Sequence, residues 1–144
     1  MKSGAILIVE DDGDVRAALS ELLEAEGFSV EGAPDGREAL DRLRSGTIHP
    51  AVILLDLMMP GMDGWDFRSE QMRDPKLAEV PVVIVSAAGF SHETIGTQFR
   101  PAGYVQKPIA RDQLLGVIRD LVRSGPPGQL DPADRTAETK RNRA

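Results

Sequence analysis

The sequence predicts an α/β fold, a parallel sheet of five strands with helices on both faces, and three observations carry that prediction. Short apolar runs alternate with longer stretches whose apolar residues recur at helical spacing. The runs Ala5–Val9, Ala51–Leu55 and Pro81–Val85 are apolar without interruption, as strands buried on both sides are. Five strand–helix units in succession require crossover connections, whose right-handed sense distributes helices over both faces.

The elements follow in order. Ala5-Ile6-Leu7-Ile8-Val9 is the first strand, and residues 14–26 form a helix with Val15, Ala18, Leu19, Leu22 and Leu23 on one face. Asp12 is its expected cap, Asp14 places negative charge where the helix dipole favours it, and Gly27 closes it. Phe28 to Gly32 reads as a second strand, and 35–44 as a second helix carrying Ala39, Leu40 and Leu43. Ala51–Leu55 is the third strand. A third helix starts at Asp63 or Gly64 and runs to Arg73, ahead of Pro75. Pro81–Val85, rich in β-branched residues, is the fourth strand. A fourth helix is expected from Ser91 to Pro101, its face marked by Ile95 and Phe99 alone. Gly103–Gln106 is the fifth strand, and 111–123 a last helix with the stripe Leu114, Leu115, Ile118, Leu121 and Val122.

At 144 residues the chain has the length of one domain, here expected to occupy residues 1–123. The remaining 124–144 opens with Ser-Gly-Pro-Pro-Gly and carries four basic and three acidic residues but few hydrophobes, so it is expected to be a disordered polar tail. The absence of cysteine removes disulfides, thiolate metal sites and cysteine catalysis together. A net charge of -6 argues against direct nucleic acid binding, which needs a basic surface. No apolar run reaches membrane-spanning length, so no membrane insertion is expected and the cytoplasm is the expected location.

Two buried runs end in acids. The first strand leads into Glu10-Asp11-Asp12 and the third into Asp56. Ligands of parallel sheets bind outside the carboxyl ends of the strands, so neighbouring strands would gather these groups in one place. Crowded carboxylates repel one another, and a hard divalent cation with oxygen ligands relieves them. A carboxylate beside such an ion can act as nucleophile toward a phosphoryl group. Ser86 ends the fourth strand with small Ala87 and Ala88 after it, and Lys107 ends the fifth. The Lys107-Pro108 bond is a candidate cis peptide.

Taken in order, Val9-Glu10-Asp11-Asp12 with Arg16, then Leu55-Asp56-Leu57-Met58-Met59-Pro60-Gly61-Met62-Asp63-Gly64, Val85-Ser86-Ala87 and Tyr104-Val105-Gln106-Lys107-Pro108 resemble the receiver domain of two-component response regulators, over roughly residues 4–123. The resemblance implies a flavodoxin-like (βα)5 three-layer sandwich with strand order 2-1-3-4-5. It implies that Asp56 is the phospho-acceptor, charged by a partner histidine kinase or histidine phosphotransfer protein. Asp11 would bind Mg²⁺ (or Mn²⁺) directly, Glu10 through water, and the backbone carbonyl of Met58 would join Asp56 in the shell. Ser86 would be the switch hydroxyl, Lys107 the cation on the phosphoryl group, and Tyr104 the aromatic whose rotamer reports the state. The output surface would be the fourth helix, fifth strand and fifth helix, read by a downstream protein target, with homodimerisation left open. Met58 and Ala88, two residues after the acceptor and the switch hydroxyl, offer no group to orient water, so self-dephosphorylation is expected to be slow.

Each signal has a plainer reading beside it. Asp56 alone would be a turn or cap residue, Ser86 a strand-end hydroxyl and Lys107 a surface charge; the combination sets those readings aside. Tyr104 suits core and switch equally. Trp65, Met58, Met59 and Met62 read as packing and loop residues, Gly61 and Gly64 as turn residues, and His49 and His92 as surface residues. A rival class is a haloacid-dehalogenase-type phosphatase with an aspartyl-phosphate intermediate, but its second Asp would fall at Met58. A flavin binder is disfavoured by the acids and the few aromatics. A constitutive docking module that takes no phosphate is disfavoured by the intact acids, Ser86 and Lys107.

Overall fold

A computed structural model describes residues 4–57, 59, 62–87, 96 and 100–124. Its elements are β1 (Ala5–Val9), α1 (Gly13–Ala25), β2 (Val30–Ala33), α2 (Gly36–Arg44), β3 (Pro50–Asp56), α3 (Gly64–Arg73), β4 (Val82–Ser86), β5 (Gly103–Gln106) and α4 (Arg111–Ser124). The strands form one parallel sheet of order β2-β1-β3-β4-β5. The expected helix from Ser91 falls outside the described residues save for Gly96, as do Met58, Gly61, Ala88, His92 and all of the tail after Ser124.

The strands are apolar throughout because both faces are covered, and their two-residue period divides the core in two. Leu7 and Val9 of β1, with Ile53 and Leu55 of β3, pack under Ala39, Leu40 and Leu43 of α2 and Phe67 of α3. Ile6, Ile8, Val52 and Leu54 pack on the other face under Leu19 and Leu23 of α1 and Leu114, Leu115 and Ile118 of α4. Among the described residues Phe67 is the one aromatic in the buried hydrophobic set, which is otherwise aliphatic, in keeping with the composition. Each fully buried Leu, Ile or Phe contributes about 1.5–3 kcal/mol.

Three aspartates start three helices. Asp12 accepts from the amides of Asp14 and Val15, Asp35 from Glu38, and Asp63 from Asp66, each meeting donors that the first turn leaves free. The second strand begins two residues later than expected, for a reason at the end of α1. Gly27, at φ 95°, donates to Glu24 and Phe28 donates to Leu23. That pair of bonds is a Schellman closure, and the Phe28 side chain packs in the same core cluster as Leu23. The helix end thus takes Phe28 away from β2. Gly46 repeats the device after α2, donating to Leu43 while Thr47 donates to Arg42.

Candidate functional site

The register of the central strands levels the chemistry. Val9 pairs with Leu55 and Asp56 with Val85, so Glu10 follows β1 at the height at which Asp56 ends β3. By alternation Asp56 continues the row of Val52 and Leu54, and Ser86 the opposite row of Val82 and Ile84. Glu10 and Asp56 are buried and Asp11 is exposed. One carboxylate oxygen from each of the three lies within 4.8 Å of the others.

Such crowding has an electrostatic cost. Burial, then the hydrogen bond and charge of Asp56, push the Glu10 carboxyl above the usual carboxylate range, against the pull of the Asp12 amide and Lys107. Asp11 is also raised, by partial withdrawal from water and then by Glu10. Among the described residues one ammonium faces the group: Lys107 Nζ lies 3.2 Å from Glu10 Oε1 and 3.6 Å from Asp56 Oδ2. Asp56 and Glu10 outweigh desolvation and raise the Lys107 pKa. Lys107 therefore bridges the two acids and stands closer to Glu10 than to Asp56. Three hard oxygen donors, two of them resisting ionisation, are a set that a divalent cation such as Mg²⁺ fits.

Backbone contacts fix the described residues around these groups. Arg16 Nη1 donates to the Glu10 carbonyl at 2.7 Å, and its stem lies against Gly32, where a Cβ would come within 3.1 Å. Gly64 donates to the Leu57 carbonyl at 3.0 Å, which joins the start of α3 to the end of β3. A Cβ on Gly64 would sit 2.7 Å from the Leu57 Cα, so this position tolerates glycine alone without a shift. The Lys107-Pro108 peptide is cis, and the Lys107 amide donates to the Ser86 carbonyl at 2.7 Å.

Ser86, fully buried, uses its Oγ to donate to the Tyr104 hydroxyl at 3.2 Å. Tyr104 pairs with Ile84 in the ladder, and Ser86 lies two residues on along the same face, which is why the phenol reaches it. The ring also packs against the core on the α2–α3 side. Of the candidate residues, Glu10, Asp11, Asp56 and Lys107 converge, Ser86 and Tyr104 form a second pair beside them, and Met58 lies outside the described residues. Asp12 caps α1 and donates its amide to Glu10 Oε2 at 3.2 Å. Trp65 and Met62 pack against the core, Met59 is within it, and His49 is exposed.

Two polar residues escaped notice in the sequence. Arg68 and Gln71 are buried on α3, on the face that also buries Gly64 and Phe67. The signal was present: polar residues stand at i+4 and i+7 of a core-facing stripe, where apolar ones are expected.

Comparison with known proteins gives one consistent picture. A family model, the response regulator receiver domain, matches residues 6–119. The chain is 37% identical over 123 residues to response regulator MprA of Mycolicibacterium vanbaalenii, an alignment covering 85% of this chain and 52% of that protein. It thus spans about half the length of the curated relatives it matches. Among solved structures, a putative response regulator from Chloroflexus aurantiacus superposes with a TM-score of 0.76 at 26% identity, covering 85% of this chain and 99% of the other. The receiver domain of a signal transduction histidine kinase from Syntrophus aciditrophicus superposes at 0.75 with 27% identity, covering 83% and 90%.

Proposed function

This chain belongs to the response regulator receiver domain family, and on that footing we propose that Asp56 is its phospho-acceptor and that the groups around it work the switch. Receiver domains are phosphorylation-dependent signalling domains, and the comparisons support neither the phosphatase nor the docking-module reading. The observation that carries the assignment is the place of Asp56: the last residue of β3, buried, in reach of two further carboxylates and of Lys107.

The donor is a phosphohistidine on a partner histidine kinase or phosphotransfer protein. An Asp56 carboxylate oxygen forms the new P–O bond as the P–N bond of the phosphohistidine breaks, and the imidazole leaves with the bonding pair and takes up a proton. Asp11, Asp56 and the Met58 carbonyl would hold Mg²⁺ (or Mn²⁺), with Glu10 acting through water, and the bound ion would supply charge neutralisation for the transferring oxygens. Lys107 exchanges its bridge between the acids for a phosphoryl oxygen. Ser86 Oγ gives up the Tyr104 hydroxyl to donate to the phosphoryl group, and Tyr104 loses that partner. The added charge and acceptor oxygens thus favour one of two arrangements of the pair, which is the switch.

β5 and α4 carry the described part of the output face, with a protein as its target. The folded unit is residues 1–123, the acceptor acts in the cytoplasm, and self-dephosphorylation is slow because the side chains at Met58 and Ala88 carry no carboxylate or amide that could orient water. Incubation with acetyl phosphate and Mg²⁺, followed by intact mass, tests the central claim. One added phosphoryl group is expected on wild type and none on Asp56→Ala. An unlabelled wild type, or equal labelling of the variant, overturns the assignment.

A further inference from the structure

Among the described residues five polar side chains are buried: Glu10, Asp56, Ser86, Arg68 and Gln71. The first three belong to the site above. The other two lie together on α3, toward the opposite end of the sheet from the acids. Gln71 is fully buried and Arg68 is 7% exposed. Burying a guanidinium and an amide is costly unless their donors and acceptors are met, and desolvation holds Arg68 below its usual pKa.

A continuous set of hydrogen bonds meets that demand. Gln71 Nε2 donates to the carbonyls of Leu77, at 2.9 Å, and Val80, at 3.1 Å. Gln71 Oε1 accepts from Arg68 Nη1 at 2.7 Å, and Arg68 Nη2 donates to the Arg100 carbonyl at 2.9 Å. The turn ahead of β4 is thereby joined, through α3, to the chain just ahead of β5. Arg100 has φ 48°, the left-handed region that a non-glycine residue keeps only where its surroundings hold it. Two residues later the Ala102 amide donates to the Val82 carbonyl at 2.8 Å, and β5 begins.

β5 has need of an anchor. It is four residues long, among the described residues it is an edge strand paired with β4 alone, and it carries Tyr104 and leads to Lys107. We propose that Arg68, oriented by Gln71, is a positioning residue for β5: it fixes the backbone at Arg100, so that Tyr104 and Lys107 respond to Asp56 while the start of the strand stays in place. Only the last part rests on the reading of Asp56 as phospho-acceptor. An arginine suits the role because its planar guanidinium holds two nitrogens in a fixed fork, Nη1 toward Gln71 and Nη2 toward the Arg100 carbonyl, whereas a lysine would have to meet both from one flexible ammonium.

Amide hydrogen exchange, followed by NMR on the full chain, separates positioning from general stability. The Ile53 amide, bonded to the Pro81 carbonyl in the central strand, serves as the reference and Ala102 as the reporter. In Arg68→Leu, Ala102 exchange is expected to rise by at least about tenfold relative to Ile53, with Arg68→Lys between that and wild type. If both amides speed up together and their ratio holds, Arg68 is merely structural and the proposal fails. Where Arg68→Leu does not fold, Gln71→Met, which removes the acceptor for Arg68, provides the same comparison. A second arm adds acetyl phosphate and Mg²⁺: the ratio stays constant in wild type and shifts in the variant. A ratio that moves equally in both overturns the proposal. If intact mass shows no phosphoryl group on wild type, the functional reading has failed, and the first arm still decides the role of Arg68.

Discussion

Gly64→Ala turns the tight junction after Asp56 into a measurable quantity. Helix propensity alone predicts a gain, because alanine is the better helix former and Gly64 opens α3. The local geometry predicts a loss. The new Cβ would stand 2.7 Å from the Leu57 Cα and 2.8 Å from its Cδ2, about 0.7 Å short of the 3.4 Å at which ordinary contact begins. The neighbour is backbone, so it cannot swing aside as a side-chain tip would. Overpacking of this kind costs about 1–3 kcal/mol. For a folded unit of this size that is roughly 3–5 °C of Tm per kcal/mol. Gly116→Ala is the control, since a Cβ there meets nothing within 4 Å and the residue lies inside α4. It should gain about 0.5–1 kcal/mol. Thermal unfolding followed by circular dichroism should therefore move in opposite directions for the two variants. Because Leu57 follows Asp56, Gly64→Ala should also slow labelling by acetyl phosphate, whereas Gly116→Ala should not. A Tm for Gly64→Ala at or above wild type would refute the reasoning, since propensity would then outweigh the clash.

Other outcomes follow from the charges. Glu10 and Asp11 are acids whose folded pKa is raised, so the folded chain takes up their protons more readily than the unfolded one. Their contribution to stability is therefore gained as pH falls through the folded values and lost as it rises above them. In metal-free protein the urea midpoint of wild type, measured relative to Glu10→Gln, should rise from pH 7 toward pH 5; a flat or falling difference contradicts the cause assigned to the shift. Saturating Mg²⁺ should suppress that rise, because the ion binds the ionised carboxylates. Lys107→Met removes the ammonium between Glu10 and Asp56 and should destabilise the metal-free protein by about 1–2 kcal/mol, the lysine being partly solvated. The same variant should bind Mg²⁺ more tightly by calorimetry, as no resident cation then competes, and weaker binding would show that Lys107 organises the acids instead.

Much of the fold and of the candidate site was legible in the chain, and the reason is local. Strands buried on both sides need unbroken apolar runs, helices over a sheet need an apolar stripe, and strand ends that gather acids cannot hide them in a packing pattern. Glu10, Asp56 and Ser86 each stand one step past such a run, Asp11 two steps past, and Lys107 one step past the fifth strand, so position in sequence already implied a shared end of the sheet. Asp12, Asp35 and Asp63 marked helix starts for the same kind of reason, because a cap bonds to amides two or three residues away.

What only the tertiary structure decided are relations between distant segments. Lys107 bridges Glu10 and Asp56 across 97 and 51 positions, and its nearer partner is Glu10, which no spacing rule specifies. The Ser86–Tyr104 hydrogen bond depends on the register of β4 against β5, and a slip of one residue would turn the phenol to the other face. Gly64 appears in sequence as a turn glycine, yet its necessity comes from the Leu57 backbone that lies against it. Arg68 and Gln71 look like misplaced polar residues on a helix stripe until the carbonyls of Leu77, Val80 and Arg100 are brought to meet them. Periodicity and capping act within a few residues and can be read along the chain. Register, close approach and the satisfaction of buried polar groups depend on which segments the fold places side by side.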